Sequence, residues 1–191
     1  KYKVKFLTSV FNINDIAFLK KLNSECIKIP SHEIYNIELI KAALKNFKIV
    51  LISAGAAKWK EIINITKLRN FKKKAILMHC VSSYPLEKQN INFPKFYKLR
   101  KLSKNIGYSG HFNGIDDAVI AISLGASFVE KHFTINKTLP GRDNKFAILP
   151  NDLKVLSEFR NNVSFMNIDR GLNVQKCEID IFKNYRGRWS K

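Results

Sequence analysis

The chain has 191 residues, of which 46% are hydrophobic, and a net charge of +19 from 34 lysines and arginines against 15 acidic residues. This length suffices for one domain with a real core, and the composition excludes an intrinsically disordered chain. No apolar run reaches the ~18–20 residues of a membrane span, so we expect no membrane partner.

Short apolar runs alternate with helical patterns along most of the chain. The predicted strands are Val4–Thr8, Cys26–Ile29, Ile49–Ser53, Ala75–His79, Asn105–Ser109 and Phe128–His132. The predicted helices are Asp15–Leu22, Ile37–Lys45, Trp59–Arg69, Lys95–Leu102, Asp116–Leu124 and Pro150–Val163. Strands that alternate with helices at this pitch predict βα units and a parallel sheet.

We therefore predict an α/β fold, a partial TIM (β/α)8 barrel with six parallel strands and the helices outside. A closed barrel needs eight strands. The alternative is an open doubly wound sheet, but the glycine-rich phosphate loop typical of that fold does not occur here. The strand–helix rhythm stops after residue 163. The predicted domains are thus an incomplete barrel over residues 1–163 and, over residues 164–191, a C-terminal arm or a linker to something absent.

The basic residues are scattered along predicted helix faces, and the one compact run is Lys72–Lys74. Aromatic residues do not interleave with them as a nucleic-acid stacking platform requires. We expect a solvated basic surface that attracts anions, and no nucleic-acid partner. The three cysteines have neither zinc-finger nor redox spacing, which points to a reducing, cytoplasmic location.

Polar residues stand at the ends of all six predicted strands. Because parallel strands end at one edge of a sheet, these side chains should form a concave polar ring. Hydroxyls and a lysine are suitable donors to phosphate and carboxylate oxygens, although serine is also common in turns. The ring comprises Ser9, Lys28, Ser31, Ser53, Ser82, Tyr84, Ser109, His111 and His132.

Two of these residues, His111 and His132, follow neighbouring strands that are separated by one predicted helix. Neutral imidazole is the commonest type of metal ligand, so the pair suggests a divalent metal site. The alternative is that each histidine is a satisfied polar residue at a strand end. Glu130 lies on the same side of its strand as His132. It either orients the metal ligands or pairs with a lysine in the barrel interior.

Several short motifs occur in a fixed order along the chain: Phe6–Ser9, Ile27–Ser31, Leu51–Gly55, His79–Cys80 with Tyr84–Pro85, Gly107–His111, Glu130–Thr134 and Leu139–Asp143. Together they resemble the sialic acid (N-acetylneuraminate) synthase family, from about Lys3 to Val163. The resemblance implies a (β/α)8 barrel that condenses phosphoenolpyruvate with an N-acetylated hexosamine such as N-acetylmannosamine, giving a sialic acid and phosphate.

The resemblance also implies roles for individual residues. His111 and His132 would hold a divalent metal, for which we expect Mn2+ with Mg2+ or Co2+ as alternatives, and Asp143 would contact the amino sugar. These three are the expected catalytic residues. The expected phosphoenolpyruvate site consists of Ser9, Lys28, Ser31, Ser53, Ser82, Tyr84 and Ser109.

Two alternatives stay open from the sequence. The acceptor sugar could differ, as in legionaminate or pseudaminate synthases, or the chain could be a catalytically incomplete basic binding module. The family's first two barrel strands and its small C-terminal domain have no counterpart here. We therefore expect the 191-residue chain alone to be inactive and the full-length enzyme to be a homodimer.

Overall fold

A parallel sheet forms the centre of the computed structural model, which describes residues 4–190. In these residues the sheet has five strands in the order β1-β2-β3-β4-β5, so each strand pairs with the next one along the chain. This order is that of consecutive βα units in a half-barrel. The strands are β1 (Cys26–Ile29), β2 (Ile49–Ser53), β3 (Ala75–Cys80), β4 (Ile106–Gly110) and β5 (Phe128–Lys131).

Helices connect the strands and continue beyond β5. Local signals fix several of their ends: the Asn36 side chain accepts a hydrogen bond from the Leu39 amide, and Pro150 occupies the first turn of α7. None of the described helices is both long enough and apolar enough to cross a bilayer. The helices are α1 (Asp15–Lys21), α2 (Ile37–Asn46), α3 (Trp59–Thr66), α4 (Phe71–Lys74), α5 (Phe93–Arg100), α6 (Asp116–Ser123), α7 (Pro150–Met166) and α8 (Ile179–Asn184).

The predicted first strand, Val4–Thr8, is wrong. Residues 4–8 form no strand, and only Ser9 makes a parallel bridge, to Lys28 of β1. The Lys28 amide donates to Thr8 O at 3.0 Å, and the Val10 amide donates to Lys28 O at 2.9 Å. The segment therefore lies along the β1 edge, but Val4 is 82% exposed and pairs with no strand among the described residues. The described residues thus form a five-stranded sheet, and the Ser9–Lys28 bridge stands in place of the predicted sixth strand.

The helix predicted over Trp59–Arg69 is shorter than expected. It ends at Thr66, and a separate short helix, α4, begins at Phe71. Asn70 between them has a φ of 68°, a left-handed conformation that asparagine tolerates better than most residues and that interrupts a right-handed helix.

The core lies between the sheet and the helices that cover its convex face. All six residues of β3 and all five of β4 are buried, whereas β5, at the sheet edge, is only half-buried. Two smaller apolar clusters accompany the core in the described residues: one consists of Leu51, Ile76 and Met78 from β2 and β3, and the other of Ala118, Ile122, Ile148 and Leu156. Beyond α7 the chain loses contact with this core, since every residue from 164 to 190 is exposed.

His79 is a core residue on β3 and is fully buried. Its Nε2–H donates to Ile91 O at 2.7 Å, while Nδ1 has no hydrogen-bond partner among the described residues. Three aromatic rings, of Phe93, Phe96 and Tyr108, surround the imidazole. Burial in these apolar surroundings lowers the pKa of His79 to about 4.

We predict that His79 makes the folded state less stable as the pH falls. Below its ordinary pKa of 6.5 the unfolded chain binds a proton at His79 that the folded chain does not bind until about pH 4. The contribution of His79 to the free energy of unfolding is therefore complete above pH 6.5 and declines toward pH 4. It falls by about 2 kcal/mol between pH 7 and pH 5. Urea unfolding of the wild type and of His79→Gln at both pH values measures this loss. Equal losses in the two proteins would contradict the assignment.

Candidate active site

A small cavity opens at the carboxyl edge of the sheet, where β1 to β4 end. Its volume is about 170 Å³, below the ~300–1,000 Å³ typical of pockets for drug-sized ligands. The cavity therefore suits a small ligand. It is lined by Lys28, Pro30, Ser31, His32, Ser53, Ala56, Cys80, Ser82, Tyr84, Ser109 and His111.

Four serine hydroxyls face this cavity from four consecutive strand ends. Gly55 lets the backbone pass between two of them, because a Cβ there would lie 2.5 Å from Ser82 Oγ and 2.7 Å from Ser31 Oγ. The hydroxyl of Ser53 is buried and has no hydrogen-bond partner in the described part of the chain. A buried polar group without a partner is costly, and the Ser53 hydroxyl is available to a ligand in the cavity.

The lysine of the cavity pairs with a carboxylate from the other edge strand of the sheet. Lys28 of β1 forms an ion pair with Glu130 of β5, and the Ser109 hydroxyl donates to the same carboxylate oxygen, Glu130 Oε1, at 2.9 Å. The Lys28 side chain is only 11% exposed. Of the two roles left open for Glu130, the structure supports the ion pair with an interior lysine. That ion pair fixes a cation at the wall of the cavity.

The two predicted metal-binding histidines lie side by side at the edge of the cavity. The ring centroids of His111 and His132 are 5.4 Å apart, and the Tyr84 ring packs against both, at 4.1 Å and 6.0 Å. This separation allows both rings to bind one ion, since a metal–imidazole bond is ~2.0–2.1 Å long.

Hydrogen bonds leave the same nitrogen of each imidazole available. His111 Nδ1–H donates to Val81 O at 3.0 Å, and His132 Nδ1 lies 3.3 Å from Asp143 Oδ2. An oxygen acceptor at Nδ1 orients the ring and leaves Nε2 as the lone-pair donor, which is the usual arrangement of a metal-binding histidine. Burial is the main cause that lowers the pKa of both imidazoles, so both are neutral at pH 7 and able to bind a metal.

Two imidazoles are the donors that this edge of the cavity offers to a metal ion. Among the described residues no group of three or more His, Cys, Asp and Glu side chains could hold a metal ion. Two imidazoles would leave several coordination positions to water or substrate, as a catalytic ion requires.

Seven of the ten predicted site residues line the cavity, and the other three lie outside it. His132 and Asp143 extend the site beyond His111, whereas the Ser9 backbone bridges to Lys28 at the β1 edge. The sequence interpretation missed Cys80, whose Sγ lies 3.5 Å from Ser31 Oγ, and His32. The alternation of inward and outward side chains along β3 could have placed Cys80 on the face opposite to His79.

The sequence matches the NeuB family over residues 1–169. It is 34% identical over 161 residues to the N,N'-diacetyllegionaminic acid synthase of Campylobacter jejuni, an alignment that covers 82% of this chain and 48% of that protein. It is also 34% identical over 169 residues to the N-acetylneuraminate-9-phosphate synthase of Drosophila melanogaster, with 86% and 45% of the two chains covered. The chain thus spans about half the length of the curated relatives it matches.

The fold is similar to that of a solved relative. The crystal structure of the N-acetylneuraminic acid (sialic acid) synthetase from Leptospira borgpetersenii, in complex with citrate, superimposes with a TM-score of 0.87 at 32% identity. The superposition covers 98% of this chain and 66% of the Leptospira chain. The similarity supports the interpretation of the five-stranded sheet as part of a barrel.

We predict that the cavity binds inorganic phosphate and that Lys28 contributes most of the affinity. Lys28→Met removes a hydrogen bond to a charged group, worth roughly 1.5–3 kcal/mol, so the affinity should fall about 10- to 100-fold. Calorimetric titration of the full-length protein with phosphate measures the change. Lys104→Met removes the same charge from an exposed position and should leave the affinity nearly unchanged. Equal losses in both variants would assign the effect to the general basic field instead.

Proposed function

The chain belongs to the NeuB family, and from this premise we propose that its protein condenses phosphoenolpyruvate with an N-acetylated hexosamine. The acceptor is N-acetylmannosamine or a relative, and the products are a nonulosonic (sialic) acid and inorganic phosphate. One observation carries the proposal. A cavity with serine hydroxyls and a lysine lies directly beside a pair of neutral imidazoles, so an anion and a metal-activated carbonyl could meet there.

In this proposal the cavity holds the anionic groups of phosphoenolpyruvate. Hydroxyls and an ammonium group donate hydrogen bonds to phosphate and carboxylate oxygens, and their fixed positions orient the enol carbon. Burial raises the pKa of Tyr84, so its phenol stays protonated and can donate as well. The proposed donors are Ser31, Ser53, Ser82, Ser109, Lys28 and Tyr84, with Ser9 contributing from the β1 edge.

His111 and His132 are the proposed ligands of a divalent metal through their Nε2 atoms. Imidazole suits Mn2+ better than Mg2+, so Mn2+ is the ion we expect, with Mg2+ or Co2+ as substitutes. When bound, such an ion supplies Lewis-acid stabilisation of negative charge on an aldehyde oxygen. The protein's own contribution is to keep both rings neutral and oriented, through Val81 O and the Asp143 carboxylate.

The reaction forms a carbon–carbon bond and a bond from C2 to a water oxygen, and it breaks the bond from C2 to the phosphate oxygen. The C3 carbon of phosphoenolpyruvate attacks the aldehyde carbon of the open-chain amino sugar, and the aldehyde oxygen takes up a proton. The C2 carbon becomes cationic, and water adds to it with loss of a proton. Phosphate then leaves and C2 becomes the ketone of the product. Lys28 and the serines bind the phosphate throughout and so stabilise the leaving group.

The acceptor sugar would approach from the His132 side of the cavity. Asp143 lies in the segment between β5 and α7, and its side chain is 49% exposed. A carboxylate there can accept hydrogen bonds from sugar hydroxyl or amide groups while one of its oxygens faces His132. We propose that Asp143 contacts the acceptor.

A different acceptor is the second candidate, because one of the relatives makes diacetyllegionaminic acid. A legionaminate- or pseudaminate-type synthase would use the same cavity and histidines with a different amino sugar. An inactive basic binding module is the alternative from another functional class.

We predict that the full-length protein, supplied with Mn2+ and phosphoenolpyruvate, releases phosphate only when an N-acetylated amino sugar is present. Phosphorus NMR and mass spectrometry of the products, across a panel of amino sugars, identify the acceptor. The Lys28→Met protein should lose the activity, and Lys104→Met should keep it. Phosphoenolpyruvate binding without turnover on any sugar would favour the binding module.

We predict that Asp143→Ala impairs use of the sugar more than use of phosphoenolpyruvate. The loss of a hydrogen bond to a charged group should raise the KM for the amino sugar about tenfold or more. The KM for phosphoenolpyruvate should change little, because Asp143 does not line the anion cavity. Steady-state kinetics with each substrate varied in turn separate the two effects. An equal rise in both KM values would remove Asp143 from the sugar site.

A further inference from the structure

A buried polar cluster lies on the side of β4 and β5 that faces α6, outside the cavity. It consists of Tyr108 on β4, Asp117 on α6 and Lys131 on β5. The Asp117 side chain is fully buried and that of Lys131 is 4% exposed. Neither residue lines the anion cavity, and the proposed reaction does not use them.

The hydrogen bonds of the cluster are complete. Lys131 Nζ donates to Asp117 Oδ2 at 2.9 Å, to Asp117 Oδ1 at 3.1 Å and to Phe112 O at 2.8 Å. The Tyr108 hydroxyl donates to Asp117 Oδ2 at 2.9 Å, and the Ala118 amide donates to Oδ1 at 2.8 Å. Each charge is therefore compensated, as a buried ion pair requires.

The cluster joins the residues that precede and follow the two histidines. The β4–β5 ladder ends at the pair Gly110–Lys131, so His111 and His132 each lie one residue beyond the last paired position. Lys131 directly precedes His132, and its ammonium group binds the carbonyl of Phe112, which directly follows His111. Beyond the last backbone pairing of β4 with β5, the Lys131 side chain therefore joins the two strand ends.

Stability alone does not explain the ion pair. Removing two charges from water costs about as much as their attraction returns, and apolar replacements of similar volume are often neutral or stabilising. We infer that Asp117 and Lys131 are positioning residues that hold the His111 and His132 rings at the separation needed to share an ion. This inference rests on the metal role proposed above.

Gly110 provides an independent test of whether a carboxylate is needed at the position of Asp117 Oδ2. A Cβ on Gly110 would lie 2.3 Å from Asp117 Oδ2 and 2.5 Å from Tyr108 Cε1. The first distance is comparable to that between Cβ and a carboxylate oxygen within one aspartate. An aspartate at position 110 could therefore place a carboxylate oxygen where Asp117 now has one, provided that Asp117 is truncated and that the Tyr108 ring moves aside.

The first experiment replaces both charged partners, Asp117→Leu with Lys131→Met, in the full-length protein. The urea unfolding midpoint should stay close to that of the wild type, for the reason just given. The affinity for Co2+ titrated alone, followed by its visible absorption, should fall about 10- to 100-fold, as when other groups that orient metal-binding histidines are removed. Lys41→Met is the matched control, since it breaks the exposed Lys41–Glu38 pair on α2. It should change neither quantity.

The second experiment relocates the carboxylate. Asp117→Ala alone should lose Co2+ affinity to a similar extent, and the double variant Gly110→Asp with Asp117→Ala should regain most of it. A merely structural role for Asp117 predicts no such rescue of metal affinity. If the apolar-pair variant, with Asp117→Leu and Lys131→Met, does not fold, the variant with Gly110→Asp and Asp117→Ala tests the positioning role instead. Restored folding without restored affinity would contradict the inference.

A readout without metal separates this inference from the proposed metal role. Proton–nitrogen NMR of the metal-free protein should show the His111 Nδ1–H that is bonded to Val81 O. This signal should shift or broaden in the apolar-pair variant and keep its position in Lys41→Met, which changes a residue outside the cluster. A wild type that binds no Co2+ would refute the metal role alone. An unchanged His111 signal together with unchanged Co2+ affinity in the apolar-pair variant would overturn the inference.

Discussion

The ion pair between Lys28 and Glu130 requires the sheet to be strongly curved. Lys28 lies on β1 and Glu130 on β5, the first and last of five strands, and 102 positions separate them in the sequence. In a flat sheet these strands would be about 19 Å apart, four spacings of ~4.8 Å, which exceeds the combined reach of the two side chains. The contact is possible only because the strands coil around a concave interior, and the polar strand ends converge for the same reason.

Curvature also explains how separate functional groups come to share one site. Lys28 and the serines come from β1 to β4 and the turns that follow them, whereas His111 and His132 directly follow β4 and β5. Parallel strands place all of these groups at one edge, and the curved sheet turns them toward a common centre. Within the site, neutral imidazoles stand beside the Lys28–Glu130 ion pair.

Features set by local pattern were predictable from the sequence, and features set by distant neighbours were not. The bounds of β1 and β2 match the predicted ranges because apolar runs and flanking helices specify them locally. The Val4–Thr8 strand was wrong because a strand also needs a partner along its length, and apolar residues such as Val4 and Phe6 remain exposed. The grouping of serines and His111 around a cavity followed from parallel topology. The contacts of Lys131 with Asp117 and Phe112 depend on packing behind the sheet, which no spacing along the chain reveals.

We propose that the anion cavity and the histidine pair form one site. Phosphorus NMR of phosphoenolpyruvate bound to the full-length protein tests it directly, because Mn2+ strongly broadens the signals of nearby nuclei. With Mn2+ added, the phosphorus resonance should broaden strongly in the wild type and remain narrow in His132→Ala. If the wild type bound both Mn2+ and phosphoenolpyruvate without this broadening, the two would bind at separate places. The anion cavity and the histidine pair would then not form one site.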